Sequence, residues 1–170
     1  MDKKVYELMN DQINKEFYSA YLYLDMSNWY DAYGLDGFAN WFHVQAQEEM
    51  DHGMLMYTYL HNNNEKVVLK PIEKPDTDFK EIMDPLYRQL EHEKFVTSLI
   101  DNIYAAAQDA KEFRTTQFLD WFIKEQVEEE KNAQDLIDKM NIFADDKRAL
   151  YMLNQELAAR TYAAPSLVLD

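Results

Sequence analysis

The stretch AQEEMDH at residues 46–52 places Glu49 and His52 three positions apart. On a helix that spacing puts both side chains on one face. A lone Glu16 lies 33 residues before Glu49, a separation that suits an antiparallel partner helix folded back by a short turn. The set recurs 77 residues further on as Glu93, Gln126 and Glu129, the lone Glu again 33 positions before the pair. Two such helical hairpins, packed with approximate two-fold symmetry, would bring six potential metal ligands together inside a four-helix bundle. That is the ligand set of a dinuclear metal site.

The rest of the chain agrees with an all-α fold. It has 170 residues, enough for one domain with a sizeable core, and residues 1–170 are read as that domain. Only 3 glycines and 4 prolines occur, and Glu, Lys, Leu, Ala and Met, all good helix formers, are abundant. No segment alternates β-branched residues with period two. The formal charge of −15 argues against nucleic acid and anionic membrane surfaces as partners, since binding phosphates needs clustered Lys and Arg. Most of the 32 acids read as solvated surface, and the excess suits a protein that concentrates cations. Without cysteine there is no disulfide framework, thiolate zinc site or iron–sulfur cluster. The N-terminal MDKKVYELMNDQ has no apolar core, and no run of about 18 apolar residues appears, so the expectation is a soluble, cytoplasmic protein.

Apolar periodicity predicts a first helix over about 2–30, with an inward line of Val5, Leu8, Gln12, Glu16, Ser19, Tyr23 and Met26. Tyr33-Gly34 breaks it. A second helix, over about 35–62, turns Phe38, Phe42, Gln45, Glu49, His52, Met56 and Tyr59 inward. A third, over about 79–107, does the same with Ile82, Leu86, Leu90, Glu93, Thr97, Ile100 and Tyr104. The fourth covers about 115–140, with Thr115 as its N-cap and Leu119, Phe122, Gln126, Glu129 and Ala133 inward. A short fifth helix over about 146–160 begins beside Asp145-Asp146, with Leu150, Leu153 and Leu157 as its stripe, and the tail from Thr161 reads as frayed. Residues 63–78, with Pro71 and Pro75, form an unusually long connection between helices. A helix of about 27 residues is roughly 40 Å long, and sixteen extended residues reach about 50 Å. The connection can therefore cross the whole bundle and leave the second and third helices parallel, the single-crossover arrangement of ferritin-like bundles.

Glu16, Glu49, Glu93 and Glu129 thus fall on inward faces, with His52 and Gln126 beside them. Buried ionised carboxylates cost several kcal/mol each unless paired or bound to a cation, and no Lys or Arg lies on these lines. A cation is the remaining solution. Carboxylates with one imidazole suit Fe and Mn, and also Zn and Co. Two ions about 3.5–4 Å apart, bridged by Glu49 and Glu129, could together pass two electrons to one O2. Tyr23, two turns from Glu16 on the same face, is a candidate electron donor or simply one of the packed tyrosines. Glu48, Glu125 and Glu128 form a second acidic group one step around, either a solvated face or a third metal position joined to the first two through Glu129.

Four stretches carry a resemblance to the bacterial non-haem ferritins: NKEFYSAYLY (14–23), AQEEMDH (46–52), EHEKF (91–95) and FLDWFIKEQVEEE (118–130). The resemblance spans essentially the whole chain. It implies iron storage in a hollow cage of twenty-four identical subunits. Each subunit would be a ferroxidase, oxidising Fe(II) with O2 or peroxide and passing Fe(III) to a mineral core. By the same resemblance, Glu16, Glu49 and His52 correspond to the first iron site. Glu49, Glu93, Gln126 and Glu129 correspond to the second, and Glu48, Glu125, Glu128 and Glu129 to a third. Tyr23 matches the tyrosine beside the centre. Val127 departs from the family's frequent histidine, and the fifth-helix region supplies no matching motif. Bacterioferritin is the near alternative, and Met50 resembles its haem-ligating methionine. It would carry a second Glu-x-x-His where this chain has Gln126-x-x-Glu129, so haem is not expected. A metal-binding helical bundle without redox turnover is the other alternative.

Overall fold

Asp2 opens the first helix by accepting hydrogen bonds from the backbone N–H groups of Lys4 (2.9 Å) and Val5 (3.3 Å), two of the donors a helix start leaves unpaired. The computed structural model describes residues 1–143 and 145–169. Five helices follow one another: α1 (Lys3–Tyr33), α2 (Asp36–Asn62), α3 (Asp84–Asp109), α4 (Phe113–Phe143) and α5 (Lys147–Ala158), with no strand among the described residues. Gly34, at φ 86°, closes α1 in the left-handed conformation that glycine adopts without steric cost. The helix therefore runs one turn beyond the expected end at residue 30.

α1 pairs with α2 and α3 with α4, and α1 also lies against α3. Side chains of α1 hold the crossover along the helix. Tyr6 donates to Lys66 O (2.7 Å), Asn10 bonds both Val68 O (3.0 Å) and Val68 N (2.8 Å), and Asn14 donates to Pro71 O (3.1 Å). Further on, Trp29 donates to Phe79 O (3.2 Å) and Tyr30 to Ile82 O (2.7 Å). Residue numbers rise together on both partners, so the crossover runs parallel to α1. It delivers the chain to the end of the bundle where α2 began, leaving α2 and α3 parallel.

Several local expectations need correction. The third helix begins at Asp84 rather than near Phe79, because Pro85 occupies its first turn. A proline deeper in a helix would remove a hydrogen bond and clash with the preceding turn. Asp84 secures the start by accepting from Lys80 N and Glu81 N, both at 2.8 Å. α3 is also rotated from the expected line: Gln89, His92, Val96 and Ile103 are buried, while Leu90, Thr97 and Tyr104 are half-buried. Thr115 is not a cap, since α4 begins at Phe113; its buried hydroxyl instead bonds the Tyr59 hydroxyl at 3.0 Å. The tail beyond α5 is not frayed either. It packs Leu167 and Leu169 against the core, and Tyr162 donates to Asp51 at 2.6 Å.

Asp146 caps the start of α5, its carboxylate accepting from Arg148 N (2.8 Å) and Ala149 N (3.3 Å). Its Leu153 and Leu157 are buried and Leu150 packs beside them. α2 has no side-chain cap of its own. Asn154 of α5 supplies one, accepting from Gly37 N (2.8 Å) and Phe38 N (3.3 Å) and donating to Asp36 (2.7 Å). The approach is so close that a Cβ on Gly37 would lie 1.7 Å from the Asn154 carbonyl oxygen. Asn154→Ala should therefore lower the unfolding free energy by about 1–2 kcal/mol, the usual cost of a lost N-cap. Gly37→Ala should cost more, because α5 has to move. Urea unfolding of both variants checks this, and an unshifted midpoint for Gly37→Ala would refute the docking.

Candidate metal centre

The apolar core is in two parts. One joins Val5, Met9, Ile13, Met56, Leu60, Ile100 and Phe118; the other joins Leu22, Met26, Tyr30, Phe38, Phe42, Leu136 and Met140. Between them on α1 lie Gln12, Glu16 and Ser19, and on α2 lie Gln45, Glu49 and His52. α3 adds His92 and Glu93, and α4 adds Gln126 and Glu129; all ten are buried. None of the six expected ligands is more than 6% exposed. The helical spacings that carry the apolar collars thus carry the polar layer as well.

Glu16, Glu49 and His52 converge: each offers a ligand atom within 4.8 Å of the others, and no other trio of such residues does so among the described residues. His52 Nδ1 lies 3.3 Å from Glu49 Oε2. Gln12 donates to Glu16 Oε1 at 2.9 Å, while Glu16 Oε2 is buried without a protein partner. On the other side, Tyr23 donates a short hydrogen bond to Glu93 Oε1, and Gln45 donates one to Glu129 Oε2. Gln126 turns its amide nitrogen toward Glu93 Oε2 and Thr97 Oγ1, each at 3.3 Å.

Burial is the main reason these carboxyls hold their protons. It pushes Glu16, Glu93 and Glu129 up to about 8, with the nearest carboxylates adding to the effect. Glu49 is raised well above its ordinary value by burial and by the charge of Glu129. Burial also raises the Tyr23 phenol, helped by Glu93 and Glu49, so it remains a donor.

The second acidic group is less gathered. Glu48 and Glu125 are half-buried and Glu128 is exposed. Glu48 is already engaged by the Arg160 guanidinium at 2.5 Å. Val127 is 70% exposed and Met50 46% exposed, neither among the buried ligands.

Sequence reasoning placed Gln12, Ser19 and Gln45 on inward lines but gave them no supporting role. Gln12 and Gln45 each stand four positions before a ligand carboxylate, one helical turn away, and that spacing is a signal that could have marked them. His92, pushed down to about 4 mainly by burial, with Arg88 and Lys15 adding, shares a 2.7 Å hydrogen bond with Ser19 and meets the Tyr23 ring edge-on. Arg160 is 112 residues from Glu48, and no local pattern connects them.

A family model described as Ferritin-like domain matches residues 6–143. The chain belongs to the ferritin family. Iron storage is the function that membership carries. The bacterial non-heme ferritin of Staphylococcus haemolyticus is 38% identical over 162 residues, covering 95% of this chain and 98% of that protein. A probable bacterial non-heme ferritin-like protein of Haemophilus influenzae is 36% identical over 157 residues, covering 92% and 95% respectively. Among solved structures, an open pore ferritin of the hyperthermophilic archaeon Archaeoglobus fulgidus aligns with a TM-score of 0.92 at 40% identity, covering 95% of this chain and 98% of that one. No helix of this ferritin is long and apolar enough to cross a membrane, among the described residues.

The raised carboxyls set a pH dependence. Between the ordinary value of 4.5 and about 8, the folded metal-free protein keeps protons that the unfolded chain has released. Their contribution is fullest below the unfolded value and is lost as pH rises through the folded one. Metal-free protein should thus lose urea resistance from pH 5.5 to 8.5, and Glu93→Gln should shrink that slope. Zn(II), which displaces the protons, should flatten it. A metal-free profile that rises with pH would contradict this account.

Proposed function

We propose that residues 1–170 form one ferritin domain that is a ferroxidase as well as an iron store. Two Fe(II) ions would be oxidised together between the four helices and passed on as Fe(III) to a mineral. The single observation that supports this best is the gathering of four buried carboxyls with the His52 imidazole, with Glu16 Oε2 left unpartnered beside Glu49 and His52. Two Fe(II) give up one electron each. One O2 takes both electrons and two protons and leaves as hydrogen peroxide; peroxide itself can serve as the oxidant in the same way, leaving as water. Fe(III) hydrolysis then supplies the ferric oxide-hydroxide.

In this reading Glu16, Glu49 and His52 hold the first Fe(II). Glu49, Glu93, Gln126 and Glu129 hold the second, with Gln126 turning its amide oxygen to the metal. Tyr23 fixes Glu93 and, where only one Fe(II) is bound, could give the oxidant its second electron, its phenol proton passing to that carboxylate and a tyrosyl radical remaining. Glu48, Glu125 and Glu128 would make a third position with Glu129 once Glu48 is free of Arg160. The assembly is a cage of twenty-four identical chains in the cytoplasm, without haem, nucleic acid or membrane as partner. Acidic pores and cavity walls would draw Fe(II) inward, as fields in narrow acidic clefts do.

The two positions differ in charge. Where the first has Glu49, the second has Gln126, a neutral donor in place of a carboxylate. The Glu16/Glu49/His52 position should fill first, and iron at the other should be more labile. Anaerobic Fe(II) followed by air should give fast growth of ferric absorbance, which His52→Ala should reduce to the rate of buffer alone. Gln126→Glu should tighten the second position and slow turnover. If the intact protein is no faster than buffer, it is a metal-binding bundle without redox turnover. Light scattering should give twenty-four times 20.3 kDa, about 490 kDa; a stable monomer or dimer would overturn the cage.

A further inference from the structure

Arg160 leaves the end of α5 and turns back onto α2. Its guanidinium donates to Glu48 Oε2 at 2.5 Å, to Gln45 Oε1 at 2.8 Å and to Trp41 O at 3.3 Å, and it lies 4.0 Å above the Trp41 ring. The side chain is only 19% exposed. Its backbone is fixed as well: Asn40 donates to Arg160 O at 2.9 Å and to Leu157 O at 3.2 Å. Beyond it, Tyr162 reaches Asp51 at 2.6 Å, and Ser166 accepts from Trp121 Nε1 at 2.9 Å. Trp121 in turn stands edge-on to the His52 ring, 5.5 Å away. The C-terminal arm therefore runs across α2 to α4 beside the metal centre.

Two consequences follow from elementary chemistry. Arginine has only donors, so Gln45 must give Arg160 its amide oxygen. The amide nitrogen then has one direction left, and there it meets Glu129 Oε2. Meanwhile the guanidinium's fixed positive charge sits on the carboxylate that heads the second acidic group, where a metal ion would otherwise neutralise it.

We propose that Arg160 is the built-in cation of the third position and, through Gln45, a positioning residue for Glu129. The arm keeps Glu48 from taking a metal ion, and Glu48 becomes a ligand only when the arm lifts. The proposal rests on the dinuclear reading above, and its test separates the two. Full-length protein is equilibrated anaerobically with Zn(II), which undergoes no redox chemistry, and tightly bound ions are counted per chain. Wild type should hold two. Arg160→Gln should hold three, the third at least about tenfold tighter than in wild type, because a charge-assisted pair no longer competes. Arg160→Gln combined with Glu48→Gln should return to two, and Arg160→Lys, which keeps the charge, should also hold two. The visible spectrum of bound Co(II) should change in Arg160→Lys, since one ammonium cannot grip Glu48 and Gln45 together as the planar fork does. Should Arg160→Gln fail to assemble, Tyr162→Phe with Ser166→Ala loosens the arm and should give a third ion of intermediate affinity. Two ions with wild-type affinities in the Arg160→Gln or arm-loosened protein would overturn the proposal, as would three in the wild type. No tight ion in the wild type would overturn the dinuclear reading and this proposal with it.

Discussion

Four carboxyl groups in one dry layer cannot all carry their charge unless positive charge joins them, and the bundle is arranged around that constraint. Among the described residues no lysine or arginine is buried to neutralise them, and Arg160 meets only the edge of the layer. Glutamines and a tyrosine fill the donor positions instead. These neutral donors steady the carboxyls in either protonation state. They leave the choice between protons and metal ions to pH and metal supply. A lysine in their place would have settled the charge permanently and removed the need for a cation.

The apolar collars on either side make this balance tolerable. Phe38, Phe42 and Tyr30 stack at one end, with Tyr30 and Phe42 almost parallel at 5.6 Å, and Tyr59 and Phe118 stack at the other at 4.0 Å. Burial of such side chains is the dominant favourable term in folding. The polar layer is a local cost carried by the two hydrophobic regions around it, which is how a destabilising arrangement persists in an otherwise ordinary helical core.

The inward placement of the six candidate ligands was legible because helical spacing fixes which side chains share a face, and the 33-residue separations fix which helices return on one another. The crossover's length made the parallel arrangement of α2 and α3 readable from contour length alone. What escaped was set by features outside the period. Pro85 moved the start of α3, a constraint of one residue hidden in an otherwise helical pattern. The face of α3 was misjudged because Gln89 and His92 are buried polar residues, which an apolar count excludes. Thr115 looked like a cap by type, but Tyr59, 56 residues away, gives its hydroxyl another use. Arg160 lies in a stretch without periodicity, and its partners are known only once the chain has folded.

The crossover also divides the molecule in time. Each hairpin is made by contacts between neighbours in sequence, α1 with α2 and α3 with α4, which form with little loss of loop entropy. The first hairpin contains Glu16, Glu49 and His52 by itself, and the second contains Glu93, Gln126 and Glu129. Glu16 and Glu49 already repel each other within the first hairpin, and docking adds repulsion between the halves, as between Glu49 and Glu129. Docking is thus the step at which the like charges of the two halves are forced together, and the step a metal ion can assist most. Assembly of the subunit is thereby tied to the ionic supply of its surroundings before any mineral exists.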